Sequence, residues 1–173
     1  MTTTVVVKAK VKDNYMPLPV TAGSLDGVSL QQTPAAVTAV SRALLNDQMS
    51  TLLSDVVKND ASVGEDYAPV GYYGDFEIRG FPIDFGTGWQ INGMAVVGEQ
   101  DIPLENKQQV EFVHGLAGIE SGIASAGGLI NFVTKEPSRG ELATYTMATD
   151  QRGGSFGALD AGHVFSGRFA PGL

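Results

Sequence analysis

Four short β-prone runs between residues 75 and 135 each meet a glycine. They are Asp75-Phe76-Glu77-Ile78-Arg79-Gly80-Phe81, Gln90-Ile91-Asn92-Gly93, Gln109-Val110-Glu111-Phe112-Val113-His114-Gly115, and Gly127-Gly128-Leu129-Ile130-Asn131-Phe132-Val133-Thr134-Lys135. Branched and aromatic residues fit a pleated, half-buried surface, and Asn92-Gly93 carries the signature of a two-residue hairpin turn. With 22 glycines in 173 residues, a chain so punctuated is expected to form a small sheet of short strands joined by long loops.

The length suits one domain with a real core, and 43% of the residues are hydrophobic. Only 17% are charged, with a net charge of −8. An acidic surface repels nucleic acid and anionic membranes, so neutral, cationic or locally complementary partners are expected and nucleic acid is not. The absence of cysteine removes disulfides, thiolate zinc sites and cysteine nucleophiles together. No apolar run reaches the roughly 18 residues of a membrane-spanning helix. Met1-Thr2-Thr3-Thr4 lacks the basic and apolar regions of a signal peptide, which leaves a cytoplasmic chain or one whose export signal has been removed.

Residues 2–9 are rich in threonine and valine and prone to extension; on composition they read as an edge strand or frayed tail. Residues 10–32, with Pro17, Pro19, Gly23 and Gly27, read as an extended, mobile tether. A short strand is predicted over 33–40, with Ser41 capping a helix over 42–48 and a second helix over 51–58. Residues 64–73 are predicted as loop, 76–79 as strand, 82–88 as loop, and 89–91 and 94–97 as a hairpin. A short helix is expected over 104–107, followed by strands over 109–113 and 129–134. Past Pro137, residues 141–149 and 155–166 read as two further strands.

The order and spacing of the four runs resemble the plug domain of TonB-dependent outer-membrane receptors. In that family a Phe-x-Ile-Arg-Gly-Phe run, an Asn-Gly turn, a Val-Glu strand and a closing Gly-Gly-x-x-Asn-x-x-Thr-Lys strand recur. The resemblance covers roughly residues 2–137 and implies an α+β fold: a small mixed β-sheet with short helices and long glycine-rich loops. It divides the chain into a TonB-box-like segment and linker (1–32), the plug (33–137), and the start of a β-barrel (138–173), the last a hairpin-like extension. A family barrel has about 22 strands, of which this chain supplies two at most. It reads as a fragment, a split receptor or an orphan, with 138–173 packing irregularly, swapping between chains or mobile because its edges lack partners. The resemblance favours a removed export signal, an outer-membrane location with the plug inside the barrel, and a soluble isolated chain.

Enzymatic constellations are thin. His114 and His163 lie in different segments with no acidic residue at ligand spacing, so no metal site or cofactor is expected. Gly115-Leu116-Ala117-Gly118-Ile119-Glu120-Ser121-Gly122 lacks the Lys-Ser/Thr of a phosphate loop, and Ser121 lacks the frame of a nucleophile elbow.

The resemblance implies roles in gating instead. Thr4, Val5, Val6 and Val7 correspond to the TonB box, which adds as a strand to the periplasmic domain of TonB through backbone hydrogen bonds. Arg79 and Glu111 correspond to an ionic lock between plug and barrel wall, the guanidinium being suited to bidentate carboxylate binding; an ordinary strand-end arginine is the plain alternative. Gln109 stands where the family has arginine, so one cation of that lock is missing. Tyr72, Tyr73, Phe85 and Trp89 flank segments that in the family face the ligand vestibule, where aromatic faces suit a ferric siderophore, although core or loop packing is the commoner role of such residues. The rivals are a stand-alone soluble ligand- or TonB-binding module, a small periplasmic hydrolase or lectin-like domain, and an inert fragment.

Overall fold

The computed structural model describes residues 15–22, 29–67, 73–115, 125–136, 142–149 and 153–162. The chain divides into two compact units, residues 1–134 and 135–173.

The first unit is built on a five-stranded sheet. Its strands are β1 (Ala36–Ser41), β5 (Trp89–Ile91), β6 (Met94–Ala95), β7 (Lys107–His114) and β8 (Gly128–Thr134), in the order β1-β7-β8-β5-β6. β5 runs parallel to β8 and the other pairs are antiparallel, so the sheet is mixed. A three-stranded sheet, β2-β3-β4, combines β2 (Val63–Tyr67), β3 (Asp75–Ile78) and β4 (Phe81–Pro82). Two short helices, α1 (Arg42–Asp47) and α2 (Leu53–Val56), lie between β1 and β2, with 3-10 turns at Leu30–Gln32 and Val57–Asn59. This is the α+β architecture expected from the sequence.

Alternation along the central strands explains the layering. Val110, Phe112, Ile130 and Phe132 point to one face and join Leu45, Val56, Phe76, Ile78, Trp89 and Leu104 in the main core. The opposite face carries Gln109, Glu111, Val113, Leu129 and Asn131, and it too is closed from solvent, by Ala22 and Val37 among others. Both central strands are therefore buried on both sides.

Several expectations change. Residues 64–67 belong to a strand, because β2 pairs with β3 from Val63↔Ile78 onward. The expected helix at 104–107 is a turn, with Lys107 N–H donating to Leu104 O at 3.0 Å before the ladder with Thr134 begins. Ser41 occupies the N-cap position of α1 in extended backbone, but its side chain makes no capping bond. The second helix is shorter than predicted, and Asp55 in its first turn accepts at Oδ2 from Thr51 N–H and Leu52 N–H at 3.2 and 3.4 Å. Residues 18–22, predicted as tether, are packed: Val20 and Ala22 are 0% and 4% exposed.

The second unit is a regular antiparallel pair, β9 (Leu142–Thr149) and β10 (Ser155–Gly162), in register from Ser155↔Thr149 to Gly162↔Leu142. These strands fall within the two expected over 141–149 and 155–166. Tyr145 faces Leu159 across the ladder and Met147 faces Gly157, with the three large side chains 65–72% exposed. Thr144, Thr146, Ala158 and Asp160 occupy the other face.

Candidate functional site

Two-residue turns place the first candidate. Arg79 and Gly80 connect Ile78 to its partner Phe81 with φ of 55° and 78°, the positive pair required by a type I′ hairpin. Asn92 and Gly93 connect Ile91 to Met94 with φ of 50° and 78°. The Asn92 side chain is tied down, its Nδ2 donating to Thr134 Oγ1 and its Oδ1 accepting from Thr134 N–H, both at 2.9 Å. Arg79 is held by its backbone, N–H to Ser62 O at 2.7 Å, and the residue is exposed. Arginine in the left-handed region is strained, whereas asparagine tolerates it.

Beside this turn lies a pairing that linear spacing concealed. His114, at the end of β7, places Nε2 3.0 Å from Asp60 Oδ2, and both side chains are nearly buried. Ser62 Oγ lies 3.2 Å from His114 Nδ1 and donates to Asp60 Oδ1 at 2.8 Å, while Thr38 Oγ1 lies 3.3 Å from Nε2. Burial pushes the His114 pKa down; the Asp60 carboxylate opposes this, and the Arg79 charge adds to the downward shift. Burial works against the Asp60 carboxylate, but hydrogen bonds from Thr38 and Ser62 and the nearby His114 outweigh it, holding its pKa below the ordinary value. Ser62 N–H also donates to Asp60 Oδ1 at 2.9 Å, closing an Asx turn. The serine is thus committed to its own turn, and the group reads as a structural network rather than a nucleophile with its base.

The second candidate lies on the opposite face of the sheet. Glu111, Asn131 and Gln90 are register partners across β7, β8 and β5, and all three are buried, Glu111 and Asn131 at 0%. Glu111 Oε1 accepts from Thr21 N–H at 3.0 Å and from Gln109 Nε2 at 2.7 Å. Glu111 Oε2 accepts from Ala22 N–H at 2.8 Å and from Asn131 Nδ2 at 2.9 Å. Gln109 works in both directions, its Oε1 accepting from Leu18 N–H at 2.9 Å and its Nε2 reaching Pro19 O at 3.3 Å. Asn131 Nδ2 also donates to Thr21 Oγ1 at 3.1 Å, and its Oδ1 accepts from Gly93 N–H at 2.9 Å. Gln109 and Glu111 thereby bind the backbone of residues 18–22 while Asn131 binds the Thr21 hydroxyl, and no salt bridge to Glu111 is present among the described residues.

This geometry corrects the docking assignment of Glu111. Both of its oxygens are used inside the domain and none of its surface is open, so it does not face a barrel wall. Nor are Arg79 and Glu111 brought together: they lie at a hairpin apex and in mid-sheet.

Among the aromatics, Trp89 is 3% exposed, stacked on Phe132 at 6.2 Å and edge-on to Phe76 at 5.9 Å. It is a core residue, and the expectation of ligand contact there gives way to packing. Tyr73 and Phe85 form an edge-on pair at 5.8 Å and are half-buried. Tyr72 and the Thr4, Val5, Val6 and Val7 segment lie outside the described residues, as do residues 116–122 of the glycine run compared with a phosphate loop, and His163. Among the described residues no group of three or more His, Cys, Asp or Glu side chains is placed to hold a metal, and no helix is long and apolar enough to cross a membrane.

Residues 29–129, over half of the chain, match the family model of the TonB-dependent receptor plug domain. The ferrichrome receptor FcuA of Yersinia enterocolitica is 30% identical over 152 residues, covering 83% of this chain and 19% of the receptor. The catecholate siderophore receptor Fiu of Escherichia coli K12 is 29% identical over 140 residues, 78% of this chain and 18% of its own length. Among solved structures, the open form of the ferric-catecholate import receptor Fiu superposes with a TM-score of 0.73 at 24% identity, over 88% of this chain and 22% of that one. The ferric preacinetobactin receptor BauA of Acinetobacter baumannii gives 0.76 at 20% identity, over 86% and 23%. At such identities these structures establish the fold, and the chain spans about a fifth of the length of these relatives. With its motifs in family order and its mixed sheet superposing on the plugs of known receptors, the chain belongs to the TonB-dependent receptor plug domain family.

Proposed function

We propose that this chain is the gating plug of an outer-membrane transporter for ferric siderophores. It blocks the lumen of a barrel, contributes to ligand binding, and couples to the periplasmic domain of TonB. The observation that carries the reading is the attachment of residues 18–22 to the middle of the plug sheet. A strand added to TonB at Thr4, Val5, Val6 and Val7 is thereby connected, through residues 8–17, to β7 and β8 rather than to a peripheral loop.

Arg79 supplies the docking contact, its guanidinium directed at barrel-wall carboxylates. Its strained backbone supports that role, since strain is retained where the side chain is needed in one place. Tyr72, Tyr73 and Phe85 belong to the ligand side, where rings and hydroxyls suit a flat, partly polar ferric chelate. The face of β9 and β10 bearing Tyr145, Met147 and Leu159 is that of a strand pair turned towards lipid, with the threonine-rich face inward. No covalent step is involved: a ligand shifts the plug between states by binding them unequally.

The test is calorimetry of the chain against the periplasmic domain of TonB, with and without residues 2–9. Binding that disappears on deletion supports coupling through this segment. Absence of binding in both forms overturns coupling and leaves an uncoupled binding module.

A further inference from the structure

We infer that Gln109, Glu111 and Asn131 form a catch for the strap of residues 18–22, a site whose ligand is an extended peptide and which opens without unfolding the sheet. Its use in coupling rests on the transporter reading; the catch itself does not.

The asymmetry of the contact carries the argument. From the strap, only Val20 and Ala22 are buried, while Leu18, Pro19 and Thr21 remain exposed. Attachment is therefore largely polar: Leu18, Thr21 and Ala22 give three backbone N–H groups, and Pro19 accepts through its carbonyl. A polar attachment is released by exchange for water, whereas the opposite face of β7 and β8 is locked by Val110, Phe112, Ile130 and Phe132, each 0% exposed. Such a segment belongs to the low-stability end of the molecule, and the sheet to the high end.

Residue chemistry fits this task. Each Glu111 oxygen accepts one strap amide and one side-chain amide, and the Thr21 hydroxyl adds a longer contact at 3.3 Å to Oε2. Gln109 accepts from Leu18 and donates to Pro19 and Glu111; a guanidinium in its place has no acceptor and leaves the Leu18 amide unpaired. When the strap leaves, Gln109 Nε2 and Asn131 Nδ2 still donate to Glu111, so the empty site keeps its shape and recloses.

The experiment is amide hydrogen exchange by mass spectrometry on the full chain, comparing peptides that contain 18–22 with peptides from β1 and β7. Two variants are used. Glu111→Gln sets an NH2 group against two donors whichever oxygen it replaces. Thr21→Pro removes a donor and the hydroxyl from the exposed strap and alters no residue of the sheet. The wild-type strap should be protected, and each variant should accelerate its exchange roughly ten- to a hundredfold, the range for losing hydrogen bonds to a charged acceptor. In Thr21→Pro, exchange in β1 and β7 should stay unchanged. A wild-type strap that exchanges as fast as unstructured peptide overturns the inference. So does Thr21→Pro accelerating β7 as much as the strap, since strap and core would then open as one. Should Glu111→Gln fail to fold, Thr21→Pro alone decides. Lost TonB binding with an intact catch refutes only the transporter reading, and the reverse pattern refutes only the catch.

Discussion

Replacing Arg79 with asparagine should stabilise the domain, although it deletes a long side chain and a charge. The molecule contains its own reference for the calculation. Arg79-Gly80 and Asn92-Gly93 are two-residue connections with nearly the same φ values, 55° and 78° against 50° and 78°. One has the residue that a type I′ turn favours and the other does not. An L-residue in the left-handed region costs roughly 1–2 kcal/mol, less for asparagine, so Arg79→Asn should gain about 1 kcal/mol. For a folding unit between the sizes usually tabulated, that is a rise in Tm of roughly 3–5 °C. The hydrogen bond from residue 79 N–H to Ser62 O comes from the backbone and is retained.

Two companion variants separate backbone from side chain. Arg79→Ala keeps most of the strain and loses only an exposed side chain, so its stability should lie within about 0.5 kcal/mol of wild type. Arg79→Gly relieves the strain but enlarges the freedom of the unfolded chain, offsetting about 0.5–1 kcal/mol, and should fall between the other two. Urea unfolding followed by the fluorescence of Trp89 measures all three, because Trp89 is the single tryptophan and sits in the main core. If Arg79→Asn and Arg79→Ala both destabilise by more than about 1 kcal/mol, the arginine is a structural side chain, and the argument from strain to docking fails.

The remaining predictions concern the buried pair and a glycine. His114 titrates below the ordinary value of about 6.5, because burial outweighs the pull of Asp60. Between its folded and unfolded pKa the unfolded chain binds more protons. Stability is therefore complete above about pH 6.5 and declines as pH falls towards the folded value, and Asp60, also shifted down, adds a further loss in stronger acid. Urea midpoints measured against pH check the slope, and an unchanged midpoint between pH 7 and pH 5 contradicts it. Since the Arg79 charge contributes to the shift, Arg79→Asn should move the His114 ring titration upward by NMR. Gly128→Ala should cost more than about 3 kcal/mol, combining a disfavoured φ with a Cβ placed 1.8 Å from Val113 O at φ +131°. Gly115→Ala, also at positive φ but in open space, should cost only about 1 kcal/mol; equal losses by chemical denaturation would show that crowding at Gly128 is not the cause.

What could be read from the sequence followed the reach of each signal. The Asn92-Gly93 turn, the strand at 89–91 and the closing strand ending at Thr134 are local, since turn chemistry and alternation are written in consecutive residues. The helix expected at 104–107 failed because a sheet partner claimed its last residue: Lys107 pairs with Thr134, and tertiary pairing overrides weak helical preference. The strand at Val63–Tyr67 was missed for a related reason, its sequence Val-Gly-Glu-Asp-Tyr having little β preference of its own and depending on β3.

The candidate site was legible in kind but not in partner. The resemblance noted Gln109 only as a missing cation, gave Asn131 no role beyond its place in the closing motif, and assigned Glu111 to an ionic lock. Its position in the structure reverses that assignment, because a strand buried on both faces gives an inward carboxylate no route to another body. A buried carboxylate without a cation must collect hydrogen bonds, and the donors available were backbone amides of a segment about 90 residues away in sequence. Proline-rich composition had marked that segment as tether. Pro17 and Pro19 in fact leave few N–H groups near the strap, and those of Leu18, Thr21 and Ala22 are the three that Gln109 and Glu111 take. The same residues that make the segment extended thus determine where it can be caught.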